Sequence, residues 1–335
     1  MADLKPLFPR AGRRQFITRI GALAAASYYS PMSFAQSSYA NKPVRVVIPY
    51  PPGGPTDLVG RIVVQALSEH FKQTFIIENK AGASGMIGAD VVAKAPADGY
   101  TLLINVSGHV INPSLYAKMQ HDPIKDFKGI TRLASTPIQL IVGANSPFRS
   151  VQDLVKALQT EPGKHTFASS STGTPGHLMG ELFKAVTKVD AIHVPYKGTA
   201  PALTDVMGGQ VTFMFDSMPS SISLVKGGRL RALGVSAPTR VAALPDVPTF
   251  SEQGFPGLNL NTWYGFWAPA QTPDAIVQQI YDVTSKILST PAIRTRLQDA
   301  LAEPEGETPV KFNELCRTEA LRYAAIVHQA GIKPL

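Results

Sequence analysis

Six short stretches place small or hydroxyl-bearing residues at the ends of apolar runs, and their chemistry suits an anion. They are Tyr50 to Asp57, with Gly53, Gly54 and Thr56; Gly82-Ala-Ser84-Gly85; Ser107-Gly-His109; Ser169 to Thr174, with Ser170, Ser171, Thr172 and Gly173; Tyr196-Lys197; and Asp216. In the first, Gly53 and Gly54 let the backbone approach a bound group closely. Pro55 opens a helix, which leaves its first N–H groups without intrahelical partners. In the fourth, Thr174-Pro175 caps the next helix, and the hydroxyls and free N–H groups before it form an anion nest. A helix N-terminus carries about half a positive charge, so a carboxylate can be held without an arginine.

Each residue also has a structural reading. Asp57, in a first helical turn, is a dipole partner that would repel a carboxylate unless turned away; an ammonium on the ligand would give it a binding role. Ser84 serves either as a ligand donor or as the N-cap of the following helix. Ser107 can donate to a ligand, whereas His109 reads as a loop histidine held by backbone groups. His177 packs or orients its loop. Lys197 is either solvated or an added charge beside Tyr196. Asp216 ends a strand, where it is an exposed acid or an acceptor for a ligand hydroxyl, ammonium or bridging water.

A hydrolase needs more than this. Gly82-Ala-Ser-Gly-Met86 has Met where a nucleophile elbow needs its second glycine, and Ser84 breaks a GxGxxG fingerprint. There is no HExxH and no histidine pair at metal spacing. No cofactor or metal is expected. The single cysteine, Cys316, can form no internal disulfide, and its neighbours Phe312, Leu315 and Ala320 read as a helical apolar face around a buried, inert thiol.

These loops must be positioned by the elements around them. Val44–Ile48, Thr74–Ile77 and Thr101–Val106 are strands, separated by a helix through Leu58–Phe71 and a glycine-rich turn into a second helix ending near Ala95. That β-α-β-α-β order predicts a right-handed parallel sheet. After an irregular stretch, strands at 139–142, 166–168, 191–194, 211–215 and 230–235 alternate with helices at 151–158, 178–186, 201–207 and 220–225. Thr272-Pro273, Thr290-Pro291 and Thr308-Pro309 each predict an N-cap followed by a helix, the last reaching about Gln329. The 335 residues exceed what one core usually supports, so two lobes are expected. In parallel βα units the helix N-termini gather at the strands' C-terminal edge, where ligands bind.

The N-terminus has the order of an export signal: Arg13-Arg14-Gln-Phe-Ile17, then Ile20–Ala26, then Ser33-Phe-Ala35. The paired arginines point to the twin-arginine route, with cleavage after Ala35 and the periplasm or outer surface as destination. The chain has 32 basic and 24 acidic side chains, net +8; without residues 1–35 there are 27 and 23, net +4. No basic cluster interleaved with aromatics follows, so nucleic acid is not an expected partner.

Taken in order, several stretches resemble one family. They are Pro52-Gly-Gly-Pro-Thr-Asp57, Glu78-Asn-Lys-Ala-Gly-Ala-Ser-Gly-Met-Ile-Gly88, Asp98-Gly-Tyr-Thr-Leu102, His177-Leu-Met-Gly-Glu-Leu-Phe183, Val194-Pro-Tyr-Lys-Gly198, Gly209-Gln-Val211 and Trp263–Pro273. The set is similar to the periplasmic receptors of tripartite tricarboxylate transporters, the Bug or TctC-type solute-binding proteins. It departs at Ser84, where the family often has glycine, and at the hydroxyl-rich 169–174 stretch. The resemblance implies an α/β, two-lobe periplasmic-binding-protein-like fold of type II, each lobe a mainly parallel sheet flanked by helices. It implies lobe one at 36–140 plus 263–335 and lobe two at 141–262. It also implies a monomer that binds a small carboxylate on the Tyr50–Asp57 loop, closes the 170–174 loop over it, and delivers it to membrane transporter subunits. A sensor for a membrane signalling protein, or a secreted hydrolase, are the rival readings.

Overall fold

The computed structural model describes residues 39–332, so the expected export signal lies outside the described residues. In chain order the body contains β1 (Val44–Ile48), α1 (Pro55–Phe71), β2 (Phe75–Asn79), a 3-10 turn (Ala83–Gly85), α2 (Met86–Ala93), β3 (Thr101–Val106), α3 (Gly108–Leu115) and β4 (Phe127–Gly143). Then come α4 (Val151–Thr160), β5 (Thr166–Ser169), α5 (Pro175–Thr187), β6 (Ile192–Pro195), α6 (Thr199–Met207), β7 (Phe213–Ser217), α7 (Met218–Lys226) and β8 (Leu230–Val235). The chain finishes with β9 (Asn261–Pro269), α8 (Asp274–Ser289), α9 (Pro291–Asp299), the short β10 (Glu303–Pro304) and α10 (Pro309–Gln329).

The strands lie in the order β2-β1-β3-β9-β4-β7-β5-β6, with β10 and β8 also paired to β4. Both predicted βαβ runs are present: β1 is parallel to β2 and β3, and β5 is parallel to β6 and β7. Each run is completed by antiparallel strands, because β9 returns against β3 and β4, and β4 runs antiparallel to β7 and β8. The stretch read as irregular therefore holds α3 and the first two-thirds of β4. Two bulges interrupt β4 there, between Gly129 and Thr131 and between Arg132 and Ala134, which disrupts the two-residue alternation that marks a strand.

Strand β4 serves two sheets. Phe127–Pro137 pairs with β9, and Ile138–Gly143 pairs with β7 and β8. Pro137 has no N–H to give a ladder and sits where the strand changes partners. Ser236 ties this point: its hydroxyl accepts from Ile138 N at 2.8 Å and donates to Asn261 Oδ1 at 3.0 Å.

Helix starts follow the Thr-Pro signal with two corrections. Thr308 caps α10 by accepting from Lys311 N, as expected. Pro273, not Thr272, is the N-cap of α8, and the Thr272 carbonyl instead accepts from Lys128 Nζ at 2.7 Å. Thr290 precedes Pro291 at the start of α9, but its hydroxyl donates back to the Ile287 carbonyl rather than capping forward. Cys316 is buried against this core, and burial pushes its thiol up to about 12, well above neutral pH. Among the described residues no helix is long and apolar enough to cross a membrane.

Candidate ligand-binding cleft

Four helix N-termini converge on one cavity of about 80 Å³. Its walls come from the Tyr50–Thr56 turn before α1, from Thr174–Gly176 at the start of α5, from Lys197–Pro201 at the start of α6, and from Phe215–Ser217 before α7. Each of these helices carries proline in its first turn: Pro55, Pro175, Pro201 and Pro219. Proline fixes φ for the first turn and gives up an N–H that had no helical partner, while the remaining first-turn N–H groups stay available. Four helix ends at about +0.5 each amount to about two positive charges facing one small space.

The α1 loop is held from behind. Asp57 is 1 % exposed and turned away from the cavity. Its Oδ2 accepts from Gly53 N at 2.9 Å and Arg61 Nε at 2.7 Å, and its Oδ1 accepts from Asn79 Nδ2 at 3.0 Å. Burial alone would raise its pKa, but the bonds from Arg61, Gly53 and Asn79 outweigh burial and leave it below the ordinary aspartate value. The structural reading of Asp57 is the right one. It also corrects the docking expectation: the Gly53 amide is taken by Asp57, so Gly53 shapes the loop through its positive φ of 79°, and Gly54 and Thr56 line the cavity.

The 169–174 loop spends most of its polar groups on itself. Thr174 Oγ1 donates to the Ser171 carbonyl at 2.8 Å and accepts from His177 N at 3.4 Å. Gly173 N donates to His177 Nδ1 at 3.3 Å, so His177 orients the loop, as expected. His177 packs against His193, tilted by 30° with ring centroids 4.1 Å apart, and His193 Nε2 meets Ser169 Oγ at 2.7 Å. Ser170, Thr174, Pro175 and Gly176 reach the cavity. Thr172 and Gly173 do not line it; Gly173 packs against Asn112 and Gly108 instead.

Other candidates lie nearby. Ser84 is not an N-cap: it sits inside the 3-10 turn at φ 55°, bonded to Tyr116 Oη at 2.5 Å and Ser171 Oγ at 3.3 Å. It lines a second, wider space of about 350 Å³ with Tyr50, Ser170, Ser171, Tyr196 and Lys197. Tyr196 faces that outer space, but its hydroxyl donates to Asp205 Oδ2 at 2.5 Å; burial and Asp205 raise its pKa to about 12. Lys197 is exposed and borders both spaces. Ser107 is fully buried and outside both linings. His109 is no loop histidine: it lies in α3, packed on Phe127 at 4.6 Å and Trp267 at 4.9 Å, and burial lowers its pKa to about 3.

Asp216 is buried at the cavity floor, not exposed. Its Oδ2 accepts from Ser220 and Ser221 hydroxyls, each at 2.5 Å, and Ser221 in turn accepts from Gln139 Nε2. Burial raises its pKa to about 6 despite these bonds. Sequence reasoning placed Tyr196, Lys197 and Asp216 beside the α6 and α7 ends but did not name Gly198–Pro201 or Ser217. Pro219, shortly after a strand, carried the same signal that marked Pro55 and Pro175, whereas Pro201 lies at the third position of its helix.

An α/β body of this topology, with a small cleft ringed by helix ends between two sheets, defines a periplasmic binding protein. Residues 59–332 match the family described as "Tripartite tricarboxylate transporter family receptor", and the chain belongs to that family. It is 35% identical over 323 residues to a Pseudomonas sp. protein described as "UPF0065 protein in tcbD-tcbE intergenic region", covering 96% of each chain. It resembles the solved structure "R. palustris Rpa4515 with adipate" at 36% identity and TM-score 0.86, over 89% of this chain and 100% of that one. It resembles MatC from Rhodopseudomonas palustris with bound malate at 32% identity and TM-score 0.82, over 86% and 99%. The family consists of transporter receptors, not enzymes.

Proposed function

We propose that this chain captures a small di-acid in the cleft outside the cytoplasmic membrane and hands it to a membrane transporter. The observation that carries this reading is the convergence of four helix N-termini, each with proline in its first turn, on one cavity. Relatives solved with adipate and malate support the same ligand class. Lobe one is taken as 36–140 plus 263–335 and lobe two as 141–262, consistent with the change of strand partners near Pro137 and the return of the chain at Asn261. An export signal cut after Ala35 belongs to the same proposal.

The ligand binds with its carboxylates on the Gly54–Thr56 and Thr174–Gly176 ends, and the lobes close around it. The test is a melting curve of protein freed of ligand by unfolding and refolding, run against dicarboxylates, tricarboxylates, acidic amino acids and aromatic acids. A ligand at a hundred times its Kd adds about 2.7 kcal/mol, a shift of several degrees. A panel in which no carboxylate moves the transition, while an ester is hydrolysed, rejects the receptor reading.

A further inference from the structure

The cleft carries a negative group that its anion-binding role does not explain. Asp216 lines the cavity at 4 % exposure, and among the described residues it forms no ion pair. Its surroundings are neutral on nearly every side. From α7 it meets the Ser220 and Ser221 hydroxyls; from β4, Gln139, which pairs with it across the ladder and reaches Ser221. From β9 the fully buried Tyr264 lies close enough for its own pKa to be raised, by burial first and then by Asp216. On α1, Asp57 is occupied by Arg61 and Asn79 behind the loop. Only Lys197, exposed at the rim, brings a cation to the lining.

The charge balance then decides what can bind. Four helix ends supply about two positive charges, which match the two negative charges of a di-acid. Asp216 adds a third negative charge in a space from which closure removes water. A carboxylate beside another carboxylate ionises fully only at high cost, and such pairs hold one proton between them. We propose that the cleft takes up one proton from solvent with each di-acid it captures, the proton being held between Asp216 and the inner carboxylate of the ligand. This rests on the carboxylate-receptor reading. Burial raises Asp216 to about 6, so the free site is mainly ionised above pH 7, and a second anion nearby raises it further and draws in the proton.

The consequence is directional. Binding tightens as pH falls from about 8 toward 6, by up to tenfold per pH unit while the bound site is protonated and the free site is not. The buried histidines do not interfere, because burial holds His177 at about 4 and His193 at about 3.

The experiment is calorimetric titration of refolded protein with adipate and with malate from pH 5.5 to 8.5, with proton uptake counted at pH 7.5 in HEPES and in Tris. The two buffers differ in ionisation enthalpy and so count protons. Wild type is expected to take up close to one proton per ligand at pH 7.5. Asp216→Asn, checked for folding by its melting curve, is expected to bind with no proton uptake and a flat pH profile. Zero uptake by wild type, or an unchanged slope in Asp216→Asn, overturns the proposal. So does a pH-flat wild type whose malate binding is lost in Asp216→Asn, because Asp216 would then accept from the ligand hydroxyl. If neither di-acid binds wild type at any pH, the receptor reading for di-acids fails first and takes this inference with it.

Discussion

The hydroxyls of Ser84 and Ser171 meet at 3.3 Å although 87 residues separate them in sequence. Ser84 belongs to the turn after β2, and Ser171 to the loop after β5, so the bond joins the two sheets at the rim of the cleft. Behind it, Asn112 Nδ2 donates to the Ser84 carbonyl at 3.1 Å and holds the turn in place. On the proposed closure of the two lobes, this contact forms only when the rims come together and so acts on the closed state.

Ser171→Ala removes that contact while leaving Ser84 bonded to Tyr116. A neutral hydrogen bond is worth about 0.5–1.5 kcal/mol net, so affinity should weaken roughly two- to tenfold. The loss should fall mainly on the dissociation rate, measured by stopped-flow displacement of a bound di-acid. An unchanged dissociation rate would show that the rim contact does not hold the lobes shut.

Gly176 is required by space. A Cβ there would lie 2.3 Å from the Phe215 carbonyl oxygen, which is backbone and cannot swing aside. Gly176→Ala should cost about 1–3 kcal/mol, lowering Tm by several degrees, and should impair binding by pushing the α5 N-terminus off the cavity. Gly54→Ala is the stability control, since its Cβ would sit at an ordinary 3.5 Å from the Pro51 carbonyl oxygen. Equal melting temperatures for the two variants would refute the steric argument.

How much of this was readable before the structure follows from where each signal sits. The βαβ runs were legible because buried parallel strands such as Val44–Ile48 and Thr101–Val106 are near-continuous apolar runs, interrupted by Arg45 in the first and Asn105 in the second. Pro55 and Pro175 marked two of the four helix ends for a local reason, the fixed φ of proline. Strand β4 was mostly hidden, because its two bulges and its change of partners at Pro137 erase a regular period. The fate of the Gly53 amide and of the Tyr196 hydroxyl was invisible, because each depends on a carboxylate whose orientation only the folded chain fixes. The burial of Asp216 was likewise out of reach, since it is set by packing of α7 and β9 around a strand end.

Asp57 offers a pH-dependent test of the loop. Its pKa is depressed in the folded chain, so its contribution is fully present above the unfolded value of about 3.9 and is lost as pH falls through the folded value. Asp57→Asn loses the charge-assisted bonds from Arg61 and Gly53, a cost of about 2–3 kcal/mol at pH 7. Urea midpoints at pH 7, 5 and 3 should show a gap between variant and wild type that is nearly constant from 7 to 5 and narrows at 3. A gap independent of pH would mean that the carboxylate charge does not hold the loop.

The packed pair His177 and His193 should govern acid sensitivity in the opposite range. Both are held neutral, first by burial, with His177 at about 4 and His193 at about 3. In the unfolded chain a histidine titrates near 6.5, so between about 6.5 and 4 the unfolded state binds more protons, and stability falls as pH falls. The slope is about 1.4 kcal/mol per pH unit for each histidine kept neutral. His193→Phe preserves a ring against His177 and Phe167 but cannot titrate, and Ser169 keeps its bond to the Ser171 carbonyl at 3.0 Å. Melting temperature followed from pH 7 to pH 4 should therefore decline less steeply in His193→Phe than in wild type, by about one proton's share of the slope. Parallel declines in the two proteins would mean that His193 is already charged in the fold, and that the Ser169–Thr174 loop rests on an imidazolium rather than on a neutral ring.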